Sequence, residues 1–353
     1  MADYTKEVSN KLNIKLREEI KELPSFANAF FRGITNNTSI KTRIAYAMDI
    51  KIFFEYLIEN HPLFSHLKDI KDISLSDLDN IKAVDLEDFT EYLSYYTKEH
   101  YKNENSKVQL SNSNRGKMRK LSTLRSFYKY YFKKEMIKTN PTVLVDLPKN
   151  YEKPIIRLEP NEVANLLDEI ESGKSLTPAQ LKYHNKTKVR DLAIVTLLVG
   201  TGIRISECVG LNVNDVDFDN DSFVVTRKGG NKTILYMPEE VREALLRYLK
   251  ETRDKIDTEE SALFLSLQNK RMTQSSIQKM LKKYTKIVVP LKNISPHKLR
   301  STYGTNLYKE TGDIYLVADV LGHKDVNTTK KHYAAIEEER RKIAARVTKL
   351  RDD

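Results

Sequence analysis

The sequence predicts a mainly α-helical protein, with an all-α N-terminal domain and a mostly α C-terminal domain that carries a small antiparallel β-sheet. Three observations predict this fold class. The first half repeats apolar residues at helical spacing, a proline-containing segment without helical period follows, and one later stretch resembles two strands about a Gly-Gly turn. With 353 residues, of which 40% are hydrophobic, the chain can build two packed cores.

The N-terminal domain is predicted to occupy residues 1–145. Its apolar periodicity predicts three helices, and these cover residues 39–59, 85–98 and 112–136. Thr38 or Ser39 is placed to cap the first helix and Asp85 the second, because short polar side chains accept hydrogen bonds from a first helical turn. The polar segment 100–107 is expected to be a loop.

Three prolines in and just before the segment, together with the loss of helical period, predict a linker over 146–158. The second domain is predicted over 159–353. Its expected elements are helices over 159–170 and 190–202, a hairpin over 221–238 and further helices from 239 to 350. The helix over 190–202 is almost entirely apolar and is therefore predicted to lie centrally in the second core. The polar insertion 172–188 has no clear period.

The charge balance concerns the partners of the protein more than its fold. Sixty Lys and Arg against 49 Asp and Glu give a net charge of +11, which favours a polyanion, and nucleic acid before anionic lipid. A single cysteine, Cys208, argues against a disulfide framework or a cysteine-based metal cluster and fits a reducing cytoplasm. The chain has no apolar run of about 18 residues, no signal-peptide pattern and no P-loop, so neither a membrane span, nor secretion, nor an NTP-driven motor is expected.

Four short segments of the second domain carry the candidate chemistry, and they are GTGIRISE (200–207), TRKGGNK (226–232), SPHKLRSTYGT (295–305) and LGHKDVNTTKKHY (321–333). Taken singly, each allows an ordinary role: a surface ion pair, a solvated turn lysine, a helix cap or a packed tyrosine. A metal site made of His297, His323 and His332 is disfavoured. No two of these histidines have the close spacing of known metal ligands, and no carboxylate or cysteine completes the set.

Taken together, the segments fit attack on a phosphodiester. The candidate catalytic residues are Arg204, Glu207, Lys228, His297, Arg300, His323 and Tyr333. Two arginines can clamp the non-bridging oxygens, a tyrosine can attack the phosphorus, and a lysine can protonate the leaving 5′-oxygen. An unperturbed tyrosine has a pKa of about 10, so the nucleophile needs a base or a positive field to react at neutral pH. Cationic side chains supply that field, and no metal or other cofactor is expected.

In these motifs the sequence resembles the tyrosine recombinases, the family of Xer proteins and phage-type integrases, over nearly the whole chain. The resemblance implies that Arg204 and Arg300 are the first and second phosphate-clamping arginines and that Glu207 is an acidic residue that supports the site. It implies Lys228 as the general acid and His297 as a candidate base. His323 would be a further phosphate donor and Tyr333 the nucleophile. Many relatives carry a second histidine after the HxxR motif, where this chain has Ser301.

The resemblance also implies a biological setting. It implies a site-specific recombinase that acts on double-stranded DNA with an inverted-repeat site, through a 3′-phosphotyrosine intermediate and a Holliday junction. The protein would be a homo-tetramer on DNA, a monomer or weak dimer off it, and cytoplasmic and nucleoid-associated, with a translocase or accessory protein as a further candidate partner. The chain length, the segment VTRKGGNK and the insertion before RDLAIVTLL most resemble the single-recombinase, XerS-like Xer type, which implies chromosome dimer resolution.

Three alternatives stay open. The first is an integrase or excisionase of a phage or conjugative element. More distant are a type IB topoisomerase, which would relax DNA without site preference, and a non-catalytic DNA-binding regulator.

A cluster of basic residues on the third predicted helix is the candidate DNA contact. The five residues are Arg115, Lys117, Arg119, Lys120 and Arg125. They fall within about three helical turns, which predicts contact with or near the major groove. The ordinary alternative is a solvated helix face.

Overall fold

The computed structural model describes residues 4–100, 103–149, 156–227, 230–322 and 326. Over these ranges the protein is mainly helical with small antiparallel sheets, which confirms the predicted mainly α class with a small antiparallel sheet. The chain divides into two compact units, Met1–Glu152 and Lys153–Asp353.

The helices and strands of the first unit are α1 (Tyr4–Lys21), α2 (Ala27–Gly33), α3 (Ile40–Asn60), α4 (Ala83–Tyr92), β1 (Tyr96–His100), β2 (Asn103–Leu110) and α5 (Asn114–Lys133). Short 3-10 turns lie at Ile70–Asp72, Leu75–Asn80 and Pro141–Val143. The predicted helices over 39–59 and 112–136 correspond to α3 and α5. Of the two predicted caps for α3, Ser39 serves, since its Oγ accepts the Thr42 N–H at 3.2 Å.

The first unit is not wholly helical, contrary to the prediction. Helix α4 ends at Tyr92, and β1 and β2 form an antiparallel hairpin with Tyr96 opposite Leu110. Both the continuation of the helix to residue 98 and the loop over 100–107 were wrong. The hairpin sequence is polar, so it lacks the apolar alternation that marks a half-buried strand. The cap was also misplaced: Asp85 lies inside α4 and accepts the Lys82 N–H at 2.7 Å.

The core of the first unit is rich in aromatic side chains. Phe127 of α5 is fully buried, and its ring lies 5.1 Å from the rings of Phe30 and Tyr131 and 6.0 Å from that of Phe54, all edge to face. Such pairs add to the free energy of burial. Phe132, at helical spacing from the buried Tyr128 on the same helix, is 48% exposed.

The helices and strands of the second unit are α6 (Pro160–Ser172), α7 (Pro178–Thr201), α8 (Ile205–Gly210), β3 (Val216–Asp217), β4 (Ser222–Thr226), β5 (Lys232–Tyr236), α9 (Glu239–Glu251), α10 (Gln274–Val288), α11 (Pro296–Thr311) and α12 (Ile314–Leu321). Short 3-10 turns lie at Val213–Asp215 and Arg253–Lys255. The predicted hairpin is present as β4 and β5, which pair antiparallel beside β3.

Helix α7 is the centre of the second unit. It packs against α6, α9 and α11, and its C-terminal half is buried, as the apolar run predicted. Most of the polar insertion 172–188 forms the N-terminal half of the same helix. Thr177 caps this helix, because its Oγ1 accepts the Gln180 N–H. At the other end, Gly202 has φ +63° and terminates the helix, a conformation that suits glycine.

Candidate active site

Arg204 pairs with the buried Glu207 at the start of α8. Gly202 ends α7, and two residues later Arg204 occupies the position before the first turn of α8. One carboxylate oxygen of Glu207 accepts the backbone N–H of Arg204 and the other accepts Arg204 Nη1, both at 2.8 Å. The Glu207 side chain is only 4% exposed and the Arg204 side chain 34% exposed. Glu207 therefore fixes both the backbone and the guanidinium of Arg204.

Arg300 bonds the C-terminal ends of α7 and α12, next to Arg204. It lies on α11, is 5% exposed, and its Nη1 donates to the carbonyl of Gly202 at 2.7 Å. Its Nη2 donates to the carbonyl of Leu321, the last residue of α12. His297 precedes Arg300 by one helical turn on α11 and is exposed, and its carbonyl accepts the Ser301 hydroxyl at 3.0 Å. The predicted HxxR pair therefore combines a buried arginine with a solvent-accessible histidine.

The C-terminal end of α12 receives a row of arginine donors. Arg204 Nη2 donates to the carbonyl of Gly322 at 3.1 Å, next to the Leu321 carbonyl that Arg300 uses. Adjacent carbonyls thus hold the two arginines side by side. The last carbonyls of a helix lack intrahelical partners and carry partial negative charge, so they offset the mutual repulsion of the guanidinium groups.

A third arginine, which the sequence motifs did not select, reaches the same helix end. Arg227 donates through Nη1 to the carbonyl of Asp319 at 3.3 Å and through Nη2 to that of Val320 at 2.9 Å. A sequence signal for it existed, since Arg227 directly precedes the candidate Lys228. Its partners are backbone carbonyls more than 90 residues away in the chain, and no motif spacing indicates such contacts.

Three predicted catalytic residues, Lys228, His323 and Tyr333, lie outside the described residues. The chain leads directly to two of them from this cluster, because Lys228 follows Arg227 and His323 follows Gly322. Within the described part of the chain, the structure brings together Arg204, Glu207 and Arg300.

The basic cluster of α5 divides into exposed and internally bonded side chains. Arg115 is exposed, and Lys117 donates to the Ser94 hydroxyl at 2.6 Å. Lys120 is only 4% exposed and donates to Asn112 Oδ1 at 2.8 Å. Burial lowers the Lys120 pKa despite the nearby Asp49 carboxylate.

Two further members of this cluster hold the first unit together. Arg119 pairs with the buried Asp49, whose pKa is raised because burial outweighs the attraction of Arg119. Arg125 donates to the carbonyls of Thr142 at 3.2 Å and Val145 at 2.6 Å. Arg125 therefore ties α5 to the segment that follows it.

The second unit contains a buried polar cluster that no sequence motif indicated. Tyr284 donates its hydroxyl to Asp191 at 3.2 Å and lies 3.1 Å from Nδ1 of His184, while Arg190 Nη2 bonds the same aspartate at 2.7 Å. Burial, followed by the charges of nearby lysines, lowers the His184 pKa. These groups join α7 to α10, and we assign them to the core.

Two further kinds of site are absent from the described ranges. No group of three or more His, Cys, Asp or Glu side chains there is arranged to hold a metal ion. No helix in the described part of the chain is both long and apolar enough to cross a membrane.

Comparison with known proteins gives a consistent result. The sequence profile of the phage integrase family matches residues 157–340. The chain is 33% identical to tyrosine recombinase XerC of Caldanaerobacter subterraneus subsp. tengcongensis, covering 87% of this chain and 81% of the relative. It is 31% identical to tyrosine recombinase XerS of Streptococcus mutans, covering 92% and 96%.

Solved structures share the fold. The XerH recombinase in a post-cleavage complex with palindromic difH substrate aligns with a TM-score of 0.60 at 20% identity, covering 98% of this chain and 97% of that one. The Tn1549 transposon integrase in complex with circular intermediate DNA also aligns at 0.60, with 21% identity and coverage of 86% and 93%.

Proposed function

The chain belongs to the phage integrase family of tyrosine recombinases, enzymes that cleave and rejoin DNA strands, and from this premise we propose how its residues perform the reaction. The Tyr333 hydroxyl attacks the scissile phosphorus, and a 3′-phosphotyrosine bond forms as the bond from phosphorus to the 5′-oxygen breaks. Lys228 gives a proton to the leaving 5′-oxygen, and His297 accepts the proton of the tyrosine. Attack by a 5′-hydroxyl of the partner duplex reverses these steps and rejoins the strands.

The observation that carries this proposal is the convergence of Arg204 and Arg300 on adjacent carbonyls at the end of α12. A phosphodiester under in-line attack gains negative charge on its two non-bridging oxygens. Two guanidinium groups held side by side match that charge with directed donors, and electrostatic stabilisation by preorganised donors is usually the largest single contribution to catalysis. Glu207 keeps Arg204 oriented, and His323 is proposed to add a further donor.

The proposed substrate is double-stranded DNA that carries an inverted repeat. The net charge of +11 supports a polyanionic partner. Arg115 at the exposed start of α5 is proposed to contact phosphates, together with Lys117 and with Arg119, whose side chain is 49% exposed although it pairs with Asp49. Burial of Lys120 and the two carbonyl bonds of Arg125 favour a supporting role for those two. We propose a tetramer on DNA, a monomer or weak dimer off it, control by a translocase or accessory protein, and a cytoplasmic, nucleoid-associated location.

The proposed biological role is resolution of chromosome dimers. Support comes from the XerC and XerS relatives, since the alignment with XerS spans almost all of both chains. Integration or excision of a mobile element is the second candidate, because the Tn1549 integrase shares the fold.

Covalent trapping tests both the proposed reaction and the proposed biological role. Wild-type protein, Tyr333→Phe and the control Tyr315→Phe, which alters an exposed tyrosine on α12, are mixed with sheared genomic DNA of the source and quenched with detergent. Adducts with the wild type and the control, but not with Tyr333→Phe, are expected to converge on one inverted repeat.

The sequence attached to the protein separates the alternatives. A repeat in the chromosome's replication terminus supports dimer resolution, and one at the border of a mobile element supports integration. Adducts scattered without sequence preference would instead indicate a topoisomerase, and absence of adducts a DNA-binding regulator.

A further inference from the structure

We propose that Arg227 is a positioning residue for strand cleavage, which holds the C-terminal end of α12 where Arg204 and Arg300 use it as a common support. The proposal builds on the proposed function, because it concerns the same phosphate-binding arginines. It assigns a role to a side chain outside the predicted catalytic set.

Arginine donors form a continuous pattern at the end of α12. Arg227 binds the carbonyls of Asp319 and Val320, and the next two carbonyls along the chain are those used by Arg300 and Arg204. Four successive carbonyls thus each accept an arginine donor. A shift of the helix end would move the acceptors of both clamping arginines at once, and Arg227 bonds the two carbonyls that come just before theirs in the chain.

The backbone of Arg227 is itself fixed by hydrogen bonds. Its backbone N–H donates to the carbonyl of Asn231 at 2.8 Å, and its own carbonyl accepts the Gly230 N–H at 3.0 Å. Both bonds lie at the base of the turn between β4 and β5. The residue therefore has its backbone in the hairpin and its guanidinium on α12, and it links the strand that leads to Lys228 with the helix that leads to His323.

Gly322 leaves the space that the Arg227 guanidinium occupies. Gly322 has φ +61°, and a Cβ atom at this position would overlap Nη1 of Arg227. Glycine thus serves two needs at once, because it accepts the left-handed backbone and lets the guanidinium lie against the helix end. Among the described atoms, Arg227 Nε is buried without a hydrogen-bond partner, unlike the solvated Nε of a surface arginine.

The test measures cleavage, binding and stability on the DNA site recovered by trapping. Arg227→Ala is expected to lower the single-turnover cleavage rate at saturating protein by about 10- to 100-fold, because small displacements of catalytic groups have effects of this size. The Kd for DNA is expected to change by less than about threefold. Arg227→Lys, which keeps one cation but not the two-pronged donor, is expected to recover part of the rate.

Two matched variants sharpen the test. Arg242→Ala is the control, since Arg242 also bonds a backbone carbonyl, that of Phe218, and pairs with Asp221 rather than with α12; it is expected to cleave like the wild type. Gly322→Ala displaces the same guanidinium and is expected to lower the rate as Arg227→Ala does. Gly322→Ala also strains the left-handed backbone at this position. Adding Arg227→Ala to Gly322→Ala should therefore slow cleavage by much less than Arg227→Ala slows the wild type, because the guanidinium is already displaced.

Several results would overturn the proposal. Wild-type cleavage by Arg227→Ala would do so, as would a drop in the salt slope of binding by about one unit, which indicates a direct phosphate contact. A loss of melting temperature that accounts for the lost activity would reduce Arg227 to a structural role.

A wild type that forms no adducts refutes the proposed function separately. In that case Arg227 is tested by hydrogen exchange of the amides from Val317 to Gly322. Faster exchange in Arg227→Ala than in Arg242→Ala supports the proposal that Arg227 holds the end of α12, and equal exchange refutes it.

Discussion

Replacing Glu207 by glutamine tests whether the carboxylate orients Arg204 for catalysis. The carboxylate accepts two hydrogen bonds from Arg204 at 2.8 Å, one from the backbone and one from the guanidinium. Glutamine keeps one acceptor oxygen, so its NH₂ group must face one of these donors. The change therefore removes one hydrogen bond and creates a donor–donor contact without altering side-chain size.

The expected magnitude follows from these contacts. A hydrogen bond to a charged group contributes about 1.5–3 kcal/mol. Because the Arg204 side chain is 34% exposed, water screens part of the interaction and we take about 2 kcal/mol. If the whole difference appears in the transition state, cleavage slows by about 30-fold. The assay is single-turnover formation of the covalent adduct at saturating protein.

Glu162→Gln is the matched control. Glu162 also accepts a backbone N–H, that of Glu159 at 2.8 Å, and a cation, Lys292 Nζ at 2.6 Å, at the start of a helix in the same unit. This variant should lower the melting temperature to a similar degree and leave cleavage unchanged. Equal cleavage by Glu207→Gln and Glu162→Gln would refute the orienting role of Glu207.

Three other perturbations have defined outcomes. The folded-state pKa of His184 lies below its ordinary 6.5, mainly through burial. The stability that the neutral imidazole contributes is therefore present above pH 6.5 and lost as the pH falls through the folded-state pKa. His184→Asn should flatten this acid side of the melting-temperature profile, and an unchanged profile would contradict the assignment of His184 to the core. Phe127→Ala should lower the free energy of unfolding by about 3–5 kcal/mol in urea titrations, and a loss below about 1 kcal/mol would contradict the packing described. Arg115→Ala should reduce the salt slope of DNA binding by about 0.9, whereas Arg125→Ala should mainly lower stability, and the reverse pattern would reject the division of α5.

The fold class could be predicted because its strongest signals are local. The apolar run at the end of α7 predicted a buried helix, and the Gly-Gly turn predicted the hairpin of β4 and β5. The hairpin of β1 and β2 gave no such signal, because backbone pairing can hold a polar sequence whose side chains do not alternate. The polar half of α7 could not be predicted either, since a helix that is polar on most sides has no apolar stripe.

The candidate site was predictable as a set of residue types, but its bonding was not. The order of arginine, lysine and HxxR motifs selected Arg204, Glu207 and Arg300, and the structure brings these three together. The charge run on α5 could not show that Arg125 bonds backbone carbonyls, and the motif could not show that Arg227 reaches α12. In both cases the partners are backbone groups, which every residue carries and no sequence pattern marks.

The arginines at the end of α12 have a consequence for the entropy of DNA association. A free arginine side chain carries about 2 kcal/mol of rotamer entropy, which is lost when it is held in one geometry. In Arg204 and Arg300 this loss occurs on folding, because backbone carbonyls and Glu207 fix the guanidinium groups. Less side-chain disorder then has to be removed when a phosphate arrives, and a larger share of the interaction free energy remains available to deform the duplex.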